Sequence, residues 1–304
     1  MFEPWLQKGD EPTVGAAEPI SFVTIEGSPK LQKDIQKLLL KYKHIFSNEL
    51  SHEPAKIPEF ELVVDRQQWE QPSNRGPPRV QSPAKEAEIF RQVDELLKKG
   101  IIEPSNSSHY SQVILASKPD KTWRFCIDYR KLNDCTKSPS WPIPNIKSMF
   151  SRLGTQGSDI FGVMDLTSGY HQAPVSLLTR AFLAFICFCG IYQFTRLPFG
   201  PKRAPSYFQE MMASIVLLGL IYKICEMYLD DCIVHAKGET QFLERLEQIF
   251  KRFEQYNIFL KASKCKFGMS EVDYCGKNIS ERGLSMTPSK TQSVLNFKKT
   301  HHTR

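Results

Sequence analysis

Two apolar, β-prone runs carry acids where acids are expensive. "IFGVMDL" (160–166) holds Asp165, and "EMYLDDCIVHA" (226–236) holds Asp230 and Asp231 side by side. An unpaired carboxylate in an apolar setting is costly, so any fold of this chain must bring a partner to these positions. The flanks "CEMYL" and "CIVHA" are short and β-prone, which predicts a tight hairpin with the aspartates at its tip. Taken alone, the pair suits a plain turn just as well, because Asp bonds its own backbone and tolerates unusual dihedrals. Asp165 taken alone could be neutralised by Arg124 or Arg130. Together the three acids suit a divalent cation. Hard ions such as Mg²⁺ take carboxylate, water and phosphate oxygens. Two such ions about 3.5–4 Å apart can activate an attacking oxygen and stabilise a leaving one. Strand side chains alternate, so Asp230 and Asp231 cannot both point squarely at one site. One is expected to be the stronger ligand.

The rest of the chain mixes helix and strand without strict βαβ alternation, which predicts an α+β fold with a partly antiparallel sheet. Residues 1–28 are aperiodic and rich in Pro, Gly and Glu, and form an expected loose lead. A helix follows from Ser28 and Pro29, and residues 47–81 look like an extended connector, so 29–81 forms one segment. Ser82, Pro83 and the apolar spacing of Ile89, Val93, Leu96 and Leu97 predict a second helix that Gly100 ends. "SQVILASKPDKTWRFCIDYR" predicts two strands around a polar turn. A helix is expected from about Pro205 to Leu218, another over 240–256, and a last strand pair in "SEVDYCGKNIS". "TPSKTQSVLNF" predicts the start of one more helix.

The 304 residues carry a net charge of +7, and residues 237–304 hold 13 Lys or Arg against 7 Asp or Glu. A basic segment suits a polyanion such as nucleic acid, and equally a solvated surface. The eight cysteines include no CxxC pair; Cys187 and Cys189 stand two apart in an aromatic run. Free thiols in a reducing compartment are expected. No leader-like segment and no apolar run long enough for a membrane span is visible. The expectation is an intracellular protein, cytoplasmic or nuclear, not secreted and without a membrane partner.

Five blocks occur in a fixed order: "WRFCIDYRKLN" (123–133), "WPIPNI" (141–146), "DLTSGYHQ" (165–172), "LPFG…AP" (197–205) with "YFQEMM", and "YLDD" (228–231). This series resembles the reverse transcriptase domain of a gypsy-type LTR retrotransposon Pol polyprotein, over roughly residues 82–290. The resemblance implies a right-hand polymerase, with fingers and palm over 82–286 and the start of a truncated thumb at 287–304. It implies attack of a primer 3′-hydroxyl on the α-phosphate of an incoming dNTP, on an RNA or DNA template. Asp165, Asp230 and Asp231 would hold two Mg²⁺, with Mn²⁺ as a substitute, and Asp165 and Asp230 would be the direct ligands.

Further roles carry over by motif. Tyr170 matches the aromatic beneath the sugar that excludes a 2′-hydroxyl. Lys118 and Arg124 match fingers residues that clamp the triphosphate, although "KPDKT" departs from the usual Lys-Asp-Gly turn. Phe199 and Gly200 match the loop near the nucleotide. Tyr228 and Leu229 would lie under the primer end, and Tyr274 and Gly276 fall in the strand pair that resembles the primer-gripping element. "PFGPKRAPS" has Pro-Lys-Arg where many relatives carry Leu-Thr-Asn. Relatives continue into a full thumb, RNase H and integrase, so the chain resembles a piece of a longer polyprotein. A catalytically impaired or domesticated remnant that only binds nucleic acid is the alternative. An RNA-templated RNA polymerase fits less well, since Tyr170 would disfavour ribonucleotides.

Overall fold

The computed structural model describes residues 19–118, 122–137 and 141–286. The thumb start expected at 287–304 lies outside the described residues. One five-stranded sheet runs in the order β1 (Thr24–Ile25), β10 (Lys266–Met269), β5 (Ile160–Asp165), β9 (Asp231–Ala236), β8 (Cys225–Tyr228). All its pairings are antiparallel except β1 with β10. A second sheet runs β2 (Ile102–Pro104), β7 (Gly190–Phe194), β6 (Phe185–Cys187), β3 (Ser111–Ser117), β4 (Trp123–Asp128). A third comprises β11 (Glu271–Tyr274), β12 (Lys277–Ser280) and β13 (Gly283–Met286).

The acid-bearing sheet is buried on both faces. On one lies the helix Glu239–Gln255, whose Phe242, Leu246, Ile249, Phe250 and Phe253 are all buried. Those positions recur at helical spacing, so the stripe faces the sheet. Gly162 makes the close approach possible. A Cβ there would fall 2.8 Å from the Phe267 ring, 3.0 Å from Val234 and 3.1 Å from Phe242. On the other face, Met149, Phe150 and Leu153 of the helix Ile146–Thr155 pack with Phe161, Ile233 and the third sheet's Val272, Tyr274 and Ile279.

An ion pair ties that helix to β8. Arg152 donates through Nε and a terminal nitrogen to the two carboxylate oxygens of Glu226, at 2.6 and 2.7 Å. Glu226 is 1% exposed. The guanidinium also lies over the Tyr222 ring, 4.7 Å from its centre.

Helix starts follow the sequence. Ser28 accepts a 3.1 Å hydrogen bond from the Leu31 amide at the head of the helix Pro29–Lys41. Ser82 precedes the helix Pro83–Lys98 without such a bond, so Pro83 marks that start more than the hydroxyl does. The helix expected to Leu218 is α-helical over Ala204–Met211 and then becomes a π-turn over Met212–Val216. Residues 19–28 are less loose than expected, because β1 pairs with β10. The 47–81 connector is anchored: Phe60 and Trp69 are buried, and the Phe60 amide donates to the Pro174 carbonyl at 2.8 Å. Single apolar residues among prolines give no periodicity, so the sequence does not reveal this anchoring. Strand β13 was not anticipated. All eight cysteines are free thiols. Among the described residues no helix is long and apolar enough to cross a membrane.

Candidate active site

The β8–β9 hairpin pairs Tyr228 with Asp231, which leaves Leu229 and Asp230 as a two-residue turn. Leu229 has φ +56°, a left-handed conformation that costs an L-residue about 1–2 kcal/mol. A buried glutamine holds it. Gln209, fully buried on the helix Ala204–Met211, accepts the Leu229 amide at 2.8 Å and donates to the Met227 carbonyl at 3.1 Å. Gln209→Leu keeps most of the volume and removes both partners. It is expected to cost about 2–3 kcal/mol, since buried backbone groups lose their hydrogen bonds. Urea unfolding would measure this; unchanged stability would mean that the turn holds itself.

Asp165 ends β5 directly opposite Asp231 on β9. Directly paired antiparallel residues share a face, with Cβ atoms about 4.5–5.5 Å apart. Asp230 sits in the turn, where its carbonyl accepts the Leu166 amide at 3.3 Å. Burial pushes the Asp231 carboxyl up to about 6, and the charges of Asp230 and Asp165 add to the shift. A cation answers this concentration of charge. Lys264 places Nζ 2.8 Å from Asp165 Oδ2. Its ammonium is held protonated first by that hydrogen bond and then by the charges of Asp165, Asp230 and Asp231. Asp165, Asp231 and Lys264 line one cavity of about 190 Å³. Among the described residues no three His, Cys, Asp or Glu side chains converge as a ready metal-binding cluster. The donors are nevertheless hard oxygens that already hold a positive charge, and this fits a divalent ion of the Mg²⁺ type.

A larger cavity of about 870 Å³ is lined by Lys118 and Arg124 from the β3–β4 hairpin, together with Phe199, Gly200, Ser168 and His171. Gly200 has φ +115°, and a Cβ there would fall 2.8 Å from the Tyr129 ring, so this turn admits only glycine comfortably. Tyr170 stacks on Phe199 with centroids 4.8 Å apart at 21° and tilts against Phe208 at 5.2 Å. Its hydroxyl is pushed up to about 12, mainly by burial and then by Asp230 and Tyr228. Tyr170 therefore stands between the cavity wall and the acids. Burial pushes His171 down to about 4, and its Nδ1 lies 3.0 Å from the Leu197 carbonyl, so this ring is neutral wall material.

The residues expected to face a primer divide. Tyr228 and Leu229 are half-buried on the hairpin. Tyr274 turns inward instead: it is 4% exposed, and its hydroxyl donates to the Asp231 carbonyl at 3.1 Å. The alternation of β11 explains this, because Val272 and Tyr274 face the core while Glu271 and Asp273 face out. Cys275 and Gly276 both have positive φ, +46° and +77°, and form the tight β11–β12 turn. Sequence reasoning assigned no role to Gln209 or Lys264. "YFQEMM" contains the first, but its role depends on a turn 20 residues away. The second lies 99 residues from Asp165, and nothing in "SKCKF" marks it.

A sheet with acids at a hairpin tip, set beside a second sheet across a cavity lined with Lys and Arg, is the fingers-and-palm architecture of right-hand polymerases. Residues 116–279 match the family described as "Reverse transcriptase (RNA-dependent DNA polymerase)". The chain belongs to that family. It is 35% identical over 220 residues to the "Retrovirus-related Pol polyprotein from transposon 412" of Drosophila melanogaster, which covers 70% of this chain and 18% of that polyprotein. It is 29% identical over 248 residues to the "Transposon Tf2-3 polyprotein" of Schizosaccharomyces pombe, covering 81% of this chain and 18% of the relative. The chain thus spans about a fifth of the length of the curated relatives it matches. Its fold matches the foamy viral protease-reverse transcriptase solved with an RNA/DNA hybrid, with a TM-score of 0.74 at 21% identity over 96% of this chain and 39% of the other.

Proposed function

We propose that this chain is the reverse transcriptase domain of a gypsy-type LTR retrotransposon Pol polyprotein, and that it adds dNTPs to a primer 3′-hydroxyl on an RNA or DNA template. The observation that carries this reading is the in-register pairing of Asp165 with Asp231, beside Asp230 on a braced turn. Asp165, Asp230 and Asp231 would hold Mg²⁺, or Mn²⁺ in its place. An ion bound there would supply charge neutralisation for a phosphoryl group and would lower the pKa of a nearby hydroxyl.

The chain's own residues do the rest. Lys118 and Arg124 bind the triphosphate, and Arg124 offers the fork that suits phosphate oxygens. Phe199 packs Tyr170 in place, and Tyr170 blocks a ribose 2′-hydroxyl. Gly200 lets the backbone pass close to the pocket. Tyr228, Leu229 and Gly276 lie on the two hairpins that would meet the primer, and Tyr274 braces them from beneath through the Asp231 carbonyl. RNase H and integrase domains of a full-length element would be partners of this domain. The foamy viral enzyme, solved with an RNA/DNA hybrid and with double-stranded DNA, supports a template-primer partner. The net charge of +7 points the same way.

Primer extension on poly(rA)/oligo(dT) tests the proposal. Mg²⁺-dependent dTTP incorporation is expected, together with increased ribonucleotide use by Tyr170→Ala. Template binding that weakens with salt but yields no incorporation would replace the proposal with the nucleic-acid-binding remnant.

A further inference from the structure

The β6–β7 hairpin of the fingers sheet carries a thiol pair that polymerisation does not use. Cys187 pairs with Gly190 in the register, so Phe188 and Cys189 form a two-residue turn. The two sulfurs lie 3.2 Å apart, within hydrogen-bonding distance. Cys187 is 5% exposed, Cys189 is half-buried, and Phe188 between them is 46% exposed. The Tyr192 hydroxyl donates to the Cys189 carbonyl at 3.2 Å and fixes the turn from the next strand. Gly190 has φ +142°, and a Cβ there would fall 3.4 Å from the Tyr192 ring, so the turn favours glycine at its exit. Neither cysteine lines the acid cavity or the Lys/Arg cavity.

We propose that Cys187 and Cys189 are a modification site, a dithiol that a hydroperoxide converts to a disulfide within the turn. Cys189 is the attacking sulfur, since it is the one that reaches solvent. Its thiolate attacks one peroxide oxygen, the O–O bond breaks, and with a proton taken up it yields a sulfenic acid and one water. Cys187 then gives up its proton and attacks the Cys189 sulfur, expelling a second water as the S–S bond forms. Two thiols lose two electrons and two protons, and one hydrogen peroxide becomes two waters.

The electrostatics agree with this division of roles. The hydrogen bond between the two sulfurs holds the Cys189 thiol below the ordinary range, and Tyr192 adds to the effect. Thiolate is the reactive form, so a lowered Cys189 pKa favours attack by this sulfur. Burial pushes Cys265 and Cys275 up to about 12 and raises Cys135. Cys225 and Cys232 are fully buried on the acid-bearing sheet. Cys126 on β4 is half-buried like Cys189, so it is the second thiol 3.2 Å away, and not exposure alone, that marks the turn as the place where a disulfide should form first.

The test uses the full chain, reduced and then treated with hydrogen peroxide at pH 7. Remaining thiols are blocked with iodoacetamide and the peptides are weighed. The expected first product is a Cys187–Cys189 peptide lighter by two hydrogens, restored by dithiothreitol. In Cys187→Ala, oxidation should stop at a Cys189 sulfenic acid that dimedone captures. Alkylation of Cys189 should reach half-maximum at a lower pH in the wild type than in Cys187→Ala. Absence of the internal disulfide while other cysteines oxidise would overturn the proposal. So would Cys189 alkylation profiles that coincide in the wild type and Cys187→Ala. Neither readout depends on polymerase activity.

Discussion

Asp165→Asn is expected to lower dTTP incorporation by about 10³-fold under the proposed function. A metal-held transition state draws several kcal/mol from its ligands, and about 4 kcal/mol corresponds to about 10³ in rate. Under that proposal Asp165 would be one of the acids that hold Mg²⁺. It pairs in register with Asp231, and it holds Lys264 at 2.8 Å. Removing its charge also relieves the repulsion that helps push Asp231 up to about 6. The variant should therefore fold at least as well as the wild type, and lost activity could not be ascribed to unfolding. Single-turnover incorporation at saturating Mg²⁺, beside a thermal melt, separates the two effects. A rate within tenfold of wild type would remove Asp165 from the catalytic set.

Arg152→Ala should be the most damaging single change outside the site. It strips the bidentate partner from Glu226, which is 1% exposed on β8. Breaking a buried ion pair from one side costs about 3–5 kcal/mol, because the remaining charge is left without water or partner. At this chain length that corresponds to a fall of about 10 °C in thermal midpoint. Arg152→Lys should recover only part of the loss, since an ammonium cannot reproduce two parallel hydrogen bonds. The double replacement Arg152→Met with Glu226→Leu should recover most of it, because no charge is left stranded. A single variant as stable as the wild type would show that Glu226 finds water at little cost.

The acids were legible in the sequence for a simple reason. Asp165 and the Asp230–Asp231 pair stand in apolar runs, where chemistry must compensate for their presence. The helices were legible because Pro29, Pro83 and the stripe from Phe242 to Phe253 are local signals. Pairings across long separations were not. Lys264 reaches Asp165 only because the 3₁₀ turn Ala262–Lys264 lies beside the end of β5. The inward turn of Tyr274 depends on which face of β11 meets the helix Ile146–Thr155. Motif position alone put it among the residues of the primer-gripping element. The alternation argument says that the adjacent aspartates differ, and the resemblance pairs Asp230 with Asp165 as the direct ligands. In the structure it is Asp231 that stands in register opposite Asp165, while Asp230 sits in the turn, because that choice depends on the register of β5 against β9.

Strand β1 contributes only Thr24 and Ile25, and its partners are Lys266 and Phe267. More than two hundred residues of chain separate the two halves of that ladder. A ribosome making this protein would release the first strand long before its neighbour exists, and closing so long a loop is slow. Until β10 emerges, Ile25 and the edge of β5 are open to solvent and to any other chain with an unpaired strand. The edge that completes the acid-bearing sheet is thus assembled last, and crowded synthesis of many copies would favour pairing between chains over pairing within one.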